Sequence, residues 1–231
     1  MLSLQGYGPS ILQGTLLTIE LCLASLAIAM VLGIITALAK LSRVRAANFI
    51  ANAYTTIIRG IPDLVLMLLL FYGGQVFINR VGPMLGYDGY IDINPFMAGV
   101  STIGFIFGAY MAETFRGAIL AVPGGQMEAG YAYGMTRFQV FIRILMPQMV
   151  RHAIPGFGNN WLVLMKTTAL VSIIGLKDMV RMAGLAAGAT RMPFTFYLVV
   201  AMIYLILTSI SILILNRLNK RYSVGILKGE S

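Results

Sequence analysis

The chain has 231 residues, of which 58% are hydrophobic and only 11% charged, and its mean hydropathy is +0.84. This composition is too apolar for a soluble domain of this size, so it predicts an all-α polytopic membrane protein. The net charge is +9, but the basic residues lie at the ends of apolar segments and not in a patch with interleaved aromatics, which argues against nucleic-acid binding.

Five apolar segments are long enough to cross a bilayer, at about 20 residues per span. Within a single transmembrane domain, residues 1–231, we expect spans at residues 11–41, 62–81, 96–119, 154–175 and 194–215. Residues 46–58, between the first two spans, are only moderately apolar. They predict an interfacial or inserted helix.

Lysine and arginine predict the orientation of these spans. With the N-terminus outside the cell, twelve basic residues fall on the cytoplasmic side and four fall outside, while Lys166 lies within the fourth span. The positive-inside rule therefore predicts an external N-terminus and a cytoplasmic C-terminus. The external residues are Arg80, Lys177, Arg181 and Arg191, and the cytoplasmic ones are Lys40, Arg43, Arg45, Arg59, Arg116, Arg137, Arg143, Arg151, Arg217, Lys220, Arg221 and Lys228.

Two spans contain residues that affect helix packing. Gly104, Gly108 and Ala112 lie on one face of the third span, where small residues allow another helix to approach closely. The fourth span begins with PGFGNN at residues 155–160, which predicts a poor helix start. Non-helical backbone at that depth is tolerated only beside protein or a watery cavity.

Residues 122–151 form the longest stretch without a predicted span, and the orientation rule places them in the cytoplasm. Two glycines and a proline are spaced through this stretch, which predicts a short helix, a turn and a second helix that Pro147 ends. A helix lying on lipid headgroups would usually carry lysine or arginine, and residues 124–136 contain none. We therefore interpret the stretch as a surface for another protein.

Charged residues inside the spans cost roughly 2.5–3.5 kcal/mol each on insertion scales, so they tend to be paired or functional. Glu113 and Arg116 are three residues apart, which favours a local ion pair. Lys166 either lines a translocation path or pairs with a carboxylate from another helix. Asp63 either forms a local salt bridge with Arg59 or faces the path and favours cationic substrates.

The chain lacks the phosphate-binding pattern G-x-x-x-x-G-K-[ST], so it does not bind and hydrolyse ATP by that route. Its one histidine, His152, and one cysteine, Cys22, supply neither a disulfide framework nor a thiolate metal cluster. No nucleophile and base recur at usable spacing, so we expect no catalytic site, cofactor or metal. Energy for active transport must then come from a partner or an ion gradient.

The cytoplasmic stretch resembles the EAA loop of permease subunits of bacterial ATP-binding-cassette (ABC) importers, whose pattern is E-A-A-x3-G-x9-I-x-L-P. Gly130 replaces the second alanine, and Met146 replaces the leucine. The matching residues are Glu128, Ala129, Gly130, Gly134, Ile144 and Pro147.

Further segments are similar to the polar amino acid branch of that family. They are RGIP at residues 59–62, FYG at 71–73, the third-span residues 108–123, and the run from Lys166 to Ser172, although Thr167 stands where many members carry an acid. Residues 58–73, which include Asp63, resemble most the permeases of importers for histidine, lysine, arginine and ornithine. Many members that move neutral or acidic amino acids have an apolar residue at the position of Asp63.

This resemblance implies a type I ABC importer permease fold with five spans in the bacterial inner membrane, an importer of basic amino acids, and a pairing with itself or a sister permease. Two ABC ATPase subunits would dock on the cytoplasmic hairpin, residues 122–151, and a periplasmic amino-acid-binding protein would deliver substrate. The candidate residues of the substrate pathway are Asp63, Lys166, Thr167 and Ser172.

A different class remains open on the residues alone. A secondary transporter or channel subunit could use Glu20, Glu113 and Lys166 as a proton or ion relay.

Overall fold

The structure is a computed structural model that describes residues 4–87 and 89–222. Regular structure in these residues is entirely helical, as the composition predicts. Lys228, one of the predicted cytoplasmic cations, lies outside the described residues. The helices are α1 (Gly8–Leu41), α2 (Arg45–Gly60), α3 (Asp63–Val81), α4 (Pro95–Leu120), α5 (Gly124–Ala132), α6 (Arg137–Val140), α7 (Met146–Thr167), α8 (Met179–Thr190) and α9 (Pro193–Tyr222).

Helices α1 and α4 form the centre of the bundle, and they cross with little side-chain volume between them. A Cβ atom on Gly104 of α4 would lie 2.7 Å from the Cβ of Ile28 on α1, and one on Gly108 would lie 2.9 Å from the Cβ of Leu32. These distances leave no room for a methyl group. The predicted close approach of another helix at Gly104 and Gly108 is confirmed, and the partner is α1 of the same chain.

Helix α2 confirms the helix predicted for residues 46–58. It is amphipathic, with Ala51, Thr55 and Ile58 buried on one face, against α1 and α4. Phe49 and Ile50 on its opposite face are exposed. The helix therefore packs along the bundle with an apolar face left outward.

Four helical stretches in the described part of the chain are long and apolar enough to span a membrane: Gly8–Leu41, Asp63–Leu85, Pro95–Leu120 and Pro193–Tyr222. They coincide with four of the five predicted spans. The predicted span at residues 154–175 falls on α7 and on the 3-10 turn Thr168–Ser172 that follows it. That segment carries amides and Lys166 and is less apolar than the other four, so the five-span count and the orientation stay predictions.

The prediction of a poor helix start at residues 155–160 is wrong, because the whole segment is helical within α7. Its small and polar residues serve packing instead. A Cβ on Gly156 would lie 2.8 Å from Cγ2 of Thr114 on α4, and the Asn160 side chain donates a hydrogen bond of 2.9 Å to the Thr114 hydroxyl. The close contact between α7 and α4 therefore stabilises a sequence that is locally a weak helix former.

A charge cluster joins α1, α2 and α4. Glu113 accepts a hydrogen bond of 3.0 Å from Nε of Arg116, which confirms the predicted local ion pair, and its other oxygen accepts from Nζ of Lys40. Lys40 also donates to the Thr55 hydroxyl at 2.7 Å. Since the Lys40 side chain is only 7% exposed, the Glu113 carboxylate is what makes its burial tolerable.

Removing Glu113 therefore tests the cluster. We expect Glu113→Ala to lower the free energy of unfolding by about 3–5 kcal/mol, because it leaves Lys40 buried without a counterion. Arg116→Gln is the matched control, since the Arg116 side chain is 36% exposed and its loss should cost at most about 1 kcal/mol. Thermal unfolding of the purified protein in detergent measures both, and equal losses in the two variants would contradict the assignment.

Candidate functional site

The stretch predicted to be cytoplasmic, residues 122–151, folds as a hairpin. Helix α5 (Gly124–Ala132) is followed by a turn at residues 133–136, and the chain returns through α6 and a π-helical segment, Phe141–Leu145, directly into α7. Thr136 and Gln139 form a capping box that fixes the start of the return helix. The predicted short helix, turn and second helix are present.

Gly134 closes the turn. Its φ is +76°, and the turn has both hydrogen bonds of a Schellman motif: Gly134 N–H to the Tyr131 carbonyl at 2.9 Å, and Met135 N–H to the Gly130 carbonyl at 3.1 Å. A Cβ on Gly134 would meet nothing within 4 Å. Within this chain, glycine is required at this position by the backbone conformation and not by a steric contact, because the space beside it is open.

Gly130 and Ile144 hold the two arms of the hairpin together. Gly130 is buried, and a Cβ there would lie 2.6 Å from Cδ1 of Ile144 and 3.1 Å from Cγ2 of Val140. Gln148 adds a polar tie, since its amide donates to the Gln126 side chain. Glycine in place of the second alanine of the pattern thus lets α5 lie directly on the return arm.

Pro147 does not end the second helix, so that part of the prediction is wrong. It lies in the first turn of α7, immediately after the π-helical segment, where the Met146 N–H donates to the Phe141 carbonyl five residues earlier. Proline removes one N–H from the ladder, and the wider π turn accommodates the break. As a result, one helical rod runs from Arg137 to Thr167.

The tip of the hairpin presents an exposed, mixed surface. Glu128 and Ala129 are exposed, and three aromatic side chains are exposed beside them: Tyr131 at 48%, Tyr133 at 87% and Phe138 at 71%. A rigid hairpin that exposes aromatics and an acid has the chemistry of a protein-binding surface. Tyr133 and Phe138 were not predicted, although apolar residues in a stretch already assigned outside the spans are the signal that could have found them.

Two of the candidate pathway residues, Lys166 and Thr167, lie at the far end of the same rod, and Ser172 follows in the 3-10 turn. Lys166 is exposed in the last turn of α7 and belongs to neither ion pair of the described residues. The Thr167 hydroxyl donates to the Val163 carbonyl at 3.1 Å, and the Ser172 hydroxyl donates to the Ala169 carbonyl at 2.7 Å. The predicted pairing of Lys166 with a carboxylate is therefore not formed within the part of the chain that the structure describes.

Asp63 is half-buried as the first residue of α3. The local salt bridge to Arg59 does not form within 4.0 Å among the described residues. The Arg59 guanidinium lies over the Tyr110 ring instead, at 5.6 Å from its centroid. The Asp63 carboxylate therefore has no ion-pair partner among the described residues and is available to a cationic ligand.

The three residues of the relay hypothesis are not connected. Glu20 is exposed on α1, Glu113 is held by Lys40 and Arg116, and no hydrogen bond or ion pair of the described residues joins either to Lys166. The same residues contain no group of three His, Cys, Asp or Glu side chains that could hold a metal ion.

Asp178 is a buried acid that the sequence reasoning missed. It caps α8, where its Oδ1 accepts a hydrogen bond of 2.9 Å from the Arg181 N–H, while its Oδ2 is buried and accepts none from any described residue. Helix α1 passes so close that a Cβ on Gly14 would lie 2.8 Å from Cα of Met179. Burial raises the pKa of this carboxyl from 3.8 to about 6. An aspartate directly before an apolar helix is the capping signal that could have found it.

Residues 29–224 match the family of binding-protein-dependent transport system inner membrane components. The chain is 51% identical to the histidine/lysine/arginine/ornithine transport system permease protein HisQ of Escherichia coli K12, over 98% of this chain and 99% of that protein. It is 36% identical to the arginine ABC transporter permease protein ArtQ of the same organism, over 89% and 91% of the two chains. A crystal structure of an amino acid ABC transporter with histidines superposes with a TM-score of 0.79 and 32% identity, covering 93% of this chain and 95% of that one.

Asp178 makes stability depend on pH. The pKa of Asp178 is raised in the folded protein, so the folded state favours the protonated carboxyl. The contribution of this group to the free energy of unfolding is complete below about pH 4 and is lost as pH rises to about 6. The loss is roughly 3 kcal/mol, at about 1.4 kcal/mol per pKa unit. Asp178→Asn keeps the helix cap and removes the charge. We expect its thermal midpoint to lose this pH dependence and to equal or exceed that of the parent at pH 7.5. Asp92→Asn, at an exposed position, is the control, and parallel pH profiles for Asp178→Asn and the parent protein would contradict the prediction.

Proposed function

Because this chain belongs to the family of binding-protein-dependent transport system inner membrane components, we propose that it is the membrane-spanning subunit of an ATP-driven importer of basic amino acids. The substrate class is supported by relatives whose names give histidine, lysine, arginine and ornithine as cargo. Asp63, an available carboxylate at the start of α3, suits a cationic side chain. The chain is not an enzyme, and a separate ATPase subunit hydrolyses ATP.

The rigid, exposed hairpin is the observation that carries the proposal. Two ATPase subunits dock on the hairpins of a permease pair, and each contacts Glu128, Ala129 and the open side of Gly134. Gly130, Ile144 and Pro147 support the docking surface from inside the permease. They hold the two arms of the hairpin together and join the hairpin to α7.

Movement of the ATPase passes along the rod from Arg137 to Thr167. This rod has a length of about 45 Å at 1.5 Å per residue, and residues 154–167 carry it about 20 Å into a hydrocarbon core that is about 30 Å thick. A displacement of the hairpin therefore moves Lys166, Thr167 and the 3-10 turn that contains Ser172. The π segment, which is a weaker helical form, is a natural hinge in the rod.

Helix α7 and its 3-10 continuation form the fourth of five spans in this proposal, with the N-terminus outside and the C-terminus in the cytoplasm. The segment is less apolar than the other spans because it lines the pathway, where polar groups meet water or substrate and not lipid. Helices α3 and α9 leave many apolar side chains exposed, and the bilayer and a second permease, identical or sister, cover them. A periplasmic amino-acid-binding protein delivers the substrate.

An ion-gradient-driven transporter is the alternative class, and no observation favours it. Its three residues are unconnected, and Glu113 is occupied by two cations. Uptake into proteoliposomes distinguishes the classes, because the proposed importer follows ATP and is blocked by vanadate, whereas a secondary transporter follows the proton gradient.

Hairpin variants test the coupling role. We expect Glu128→Lys and Gly134→Asp each to reduce ATP-driven uptake more than tenfold, since both alter the docking surface without touching a span. The measurement is arginine uptake by the reconstituted complex together with co-purification of the ATPase.

Gly134→Asn is the matched control for the hairpin. Asparagine has the shape of aspartate and tolerates a positive φ, so it should retain more uptake than the aspartate variant if charge at the interface matters. Normal transport in both Glu128→Lys and Gly134→Asp would overturn the coupling role.

Asp63→Asn tests the pathway. We expect arginine or histidine uptake to fall about three- to tenfold while assembly with the ATPase is unchanged, because the variant keeps the shape of the side chain and removes its attraction for a cation. Asp92→Asn should leave uptake unchanged. If selectivity and rates are both unaltered in the Asp63 variant, this residue has only a structural role.

A further inference from the structure

We propose that a cavity between the 3-10 turn, α8 and α9 is a subsite that binds the carboxylate of the amino acid, with the Arg181 guanidinium as its cationic partner. The inference rests on the proposed function, because it assigns one step of the transport pathway. The cavity has a volume of about 500 Å³, and Ser172, Arg181 and Tyr197 contribute its polar groups. This volume is within the range of small-molecule sites.

The guanidinium of Arg181 can bind an anion, and its charge also acts on the Asp178 carboxylate at longer range. Its side chain is exposed, and it belongs to neither ion pair of residues 4–87 and 89–222. Asp178 is the nearby acid, but its carboxylate is fully buried and its Oδ1 is occupied by the backbone N–H of Arg181, not by the side chain. Arginine presents paired donors that match the two oxygens of a carboxylate.

Tyr197 provides a second group for the same ligand. It is 49% exposed, and its hydroxyl makes no hydrogen bond in the described part of the chain, so it can donate to the second carboxylate oxygen. The face of its ring attracts a cation within about 6 Å. An amino acid with a basic side chain carries both charges, so Tyr197 can contact its carboxylate through the hydroxyl or its cationic end through the ring face.

The location of the cavity connects it to the pathway. Ser172, a candidate pathway residue, lines the cavity and lies in the 3-10 turn that follows the rod. The orientation rule places Arg181 on the external side, where substrate enters. The subsite therefore lies where the substrate carboxylate first contacts the permease. Movement of α7 can change the shape of the subsite.

A lipid phosphate shares the oxyanion chemistry of a carboxylate, so the experiment must separate the two sources. The assembled permease and ATPase complex is placed in nanodiscs of phosphatidylcholine, with and without phosphatidylglycerol, and without binding protein. Binding of radiolabelled arginine is measured, with agmatine, which lacks the carboxylate, as competitor. The variants are Arg181→Gln and, as control, Lys177→Gln, which removes an exposed cation of the same external segment that does not line the cavity.

We expect Arg181→Gln to weaken arginine binding at least tenfold in both lipids, and Lys177→Gln to leave it unchanged. Agmatine should compete poorly in the parent complex and should lose no affinity in Arg181→Gln. The inference is overturned if Arg181→Gln binds arginine as the parent does, if agmatine competes as well as arginine, or if the variant differs only when phosphatidylglycerol is present.

Failure of the carboxylate subsite can be distinguished from failure of the proposed function. ATP-driven arginine uptake by the parent complex with its binding protein tests the proposed function alone. If the parent imports arginine and Arg181→Gln binds and imports it equally, only the carboxylate subsite fails. If the parent imports no basic amino acid, the proposed function itself fails.

Discussion

The close crossing of α1 and α4 is the contact on which the rest of the bundle depends. At Gly104 a methyl group would lie 2.7 Å from Ile28, so the helix backbones approach as closely as side chains permit. Without a hydrophobic driving force between helices in lipid, packing of this kind and polar contacts supply the association. Both are present on α4, because it also carries Glu113 toward its C-terminal end, and Glu113 binds Lys40 of α1.

This central pair provides a fixed frame against which α7 is arranged. Helix α7 contacts α4 through Gly156 and the hydrogen bond between Asn160 and Thr114, and it continues into the exposed hairpin without a break. A part that transmits motion needs one end accessible to a partner and a continuous connection to the other. The rod from Arg137 to Thr167 is helical throughout and joins the exposed hairpin to the end of α7. Its irregular features are the π segment and Pro147 near the hairpin and Pro155 inside α7.

Local signals predicted the hairpin well and its neighbours poorly. The spacing of two glycines and a proline predicts a turn, and Gly134 lies in it with a φ of +76°. The sequence predicts that Pro147 ends a helix and that residues 155–160 form a poor helix start. Close packing on α4 and a π turn override those propensities, and neither is visible in the order of residues. Lys40 was missed as the partner of Glu113 because 73 residues separate them, and a single sequence gives no pairing signal over that distance.

The acids of the chain limit how the permease can select a cationic side chain. There are only eight, and two of the buried or half-buried ones are already committed, Glu113 to a pair of cations and Asp178 to a helix cap. Glu20 and Asp63 remain in the predicted spans, and Asp63 alone of these two is half-buried. The others lie outside the predicted spans and are Asp88, Asp92, Glu128 and Glu230.

Lys166 and Arg181, by contrast, form no ion pair among the described residues, and these cations suit the carboxylate that every amino acid carries. If the proposed function holds, the permease therefore recognises mainly the common part of its substrates. The choice of side chain then falls to Asp63 and, before it, to the binding protein that delivers the cargo.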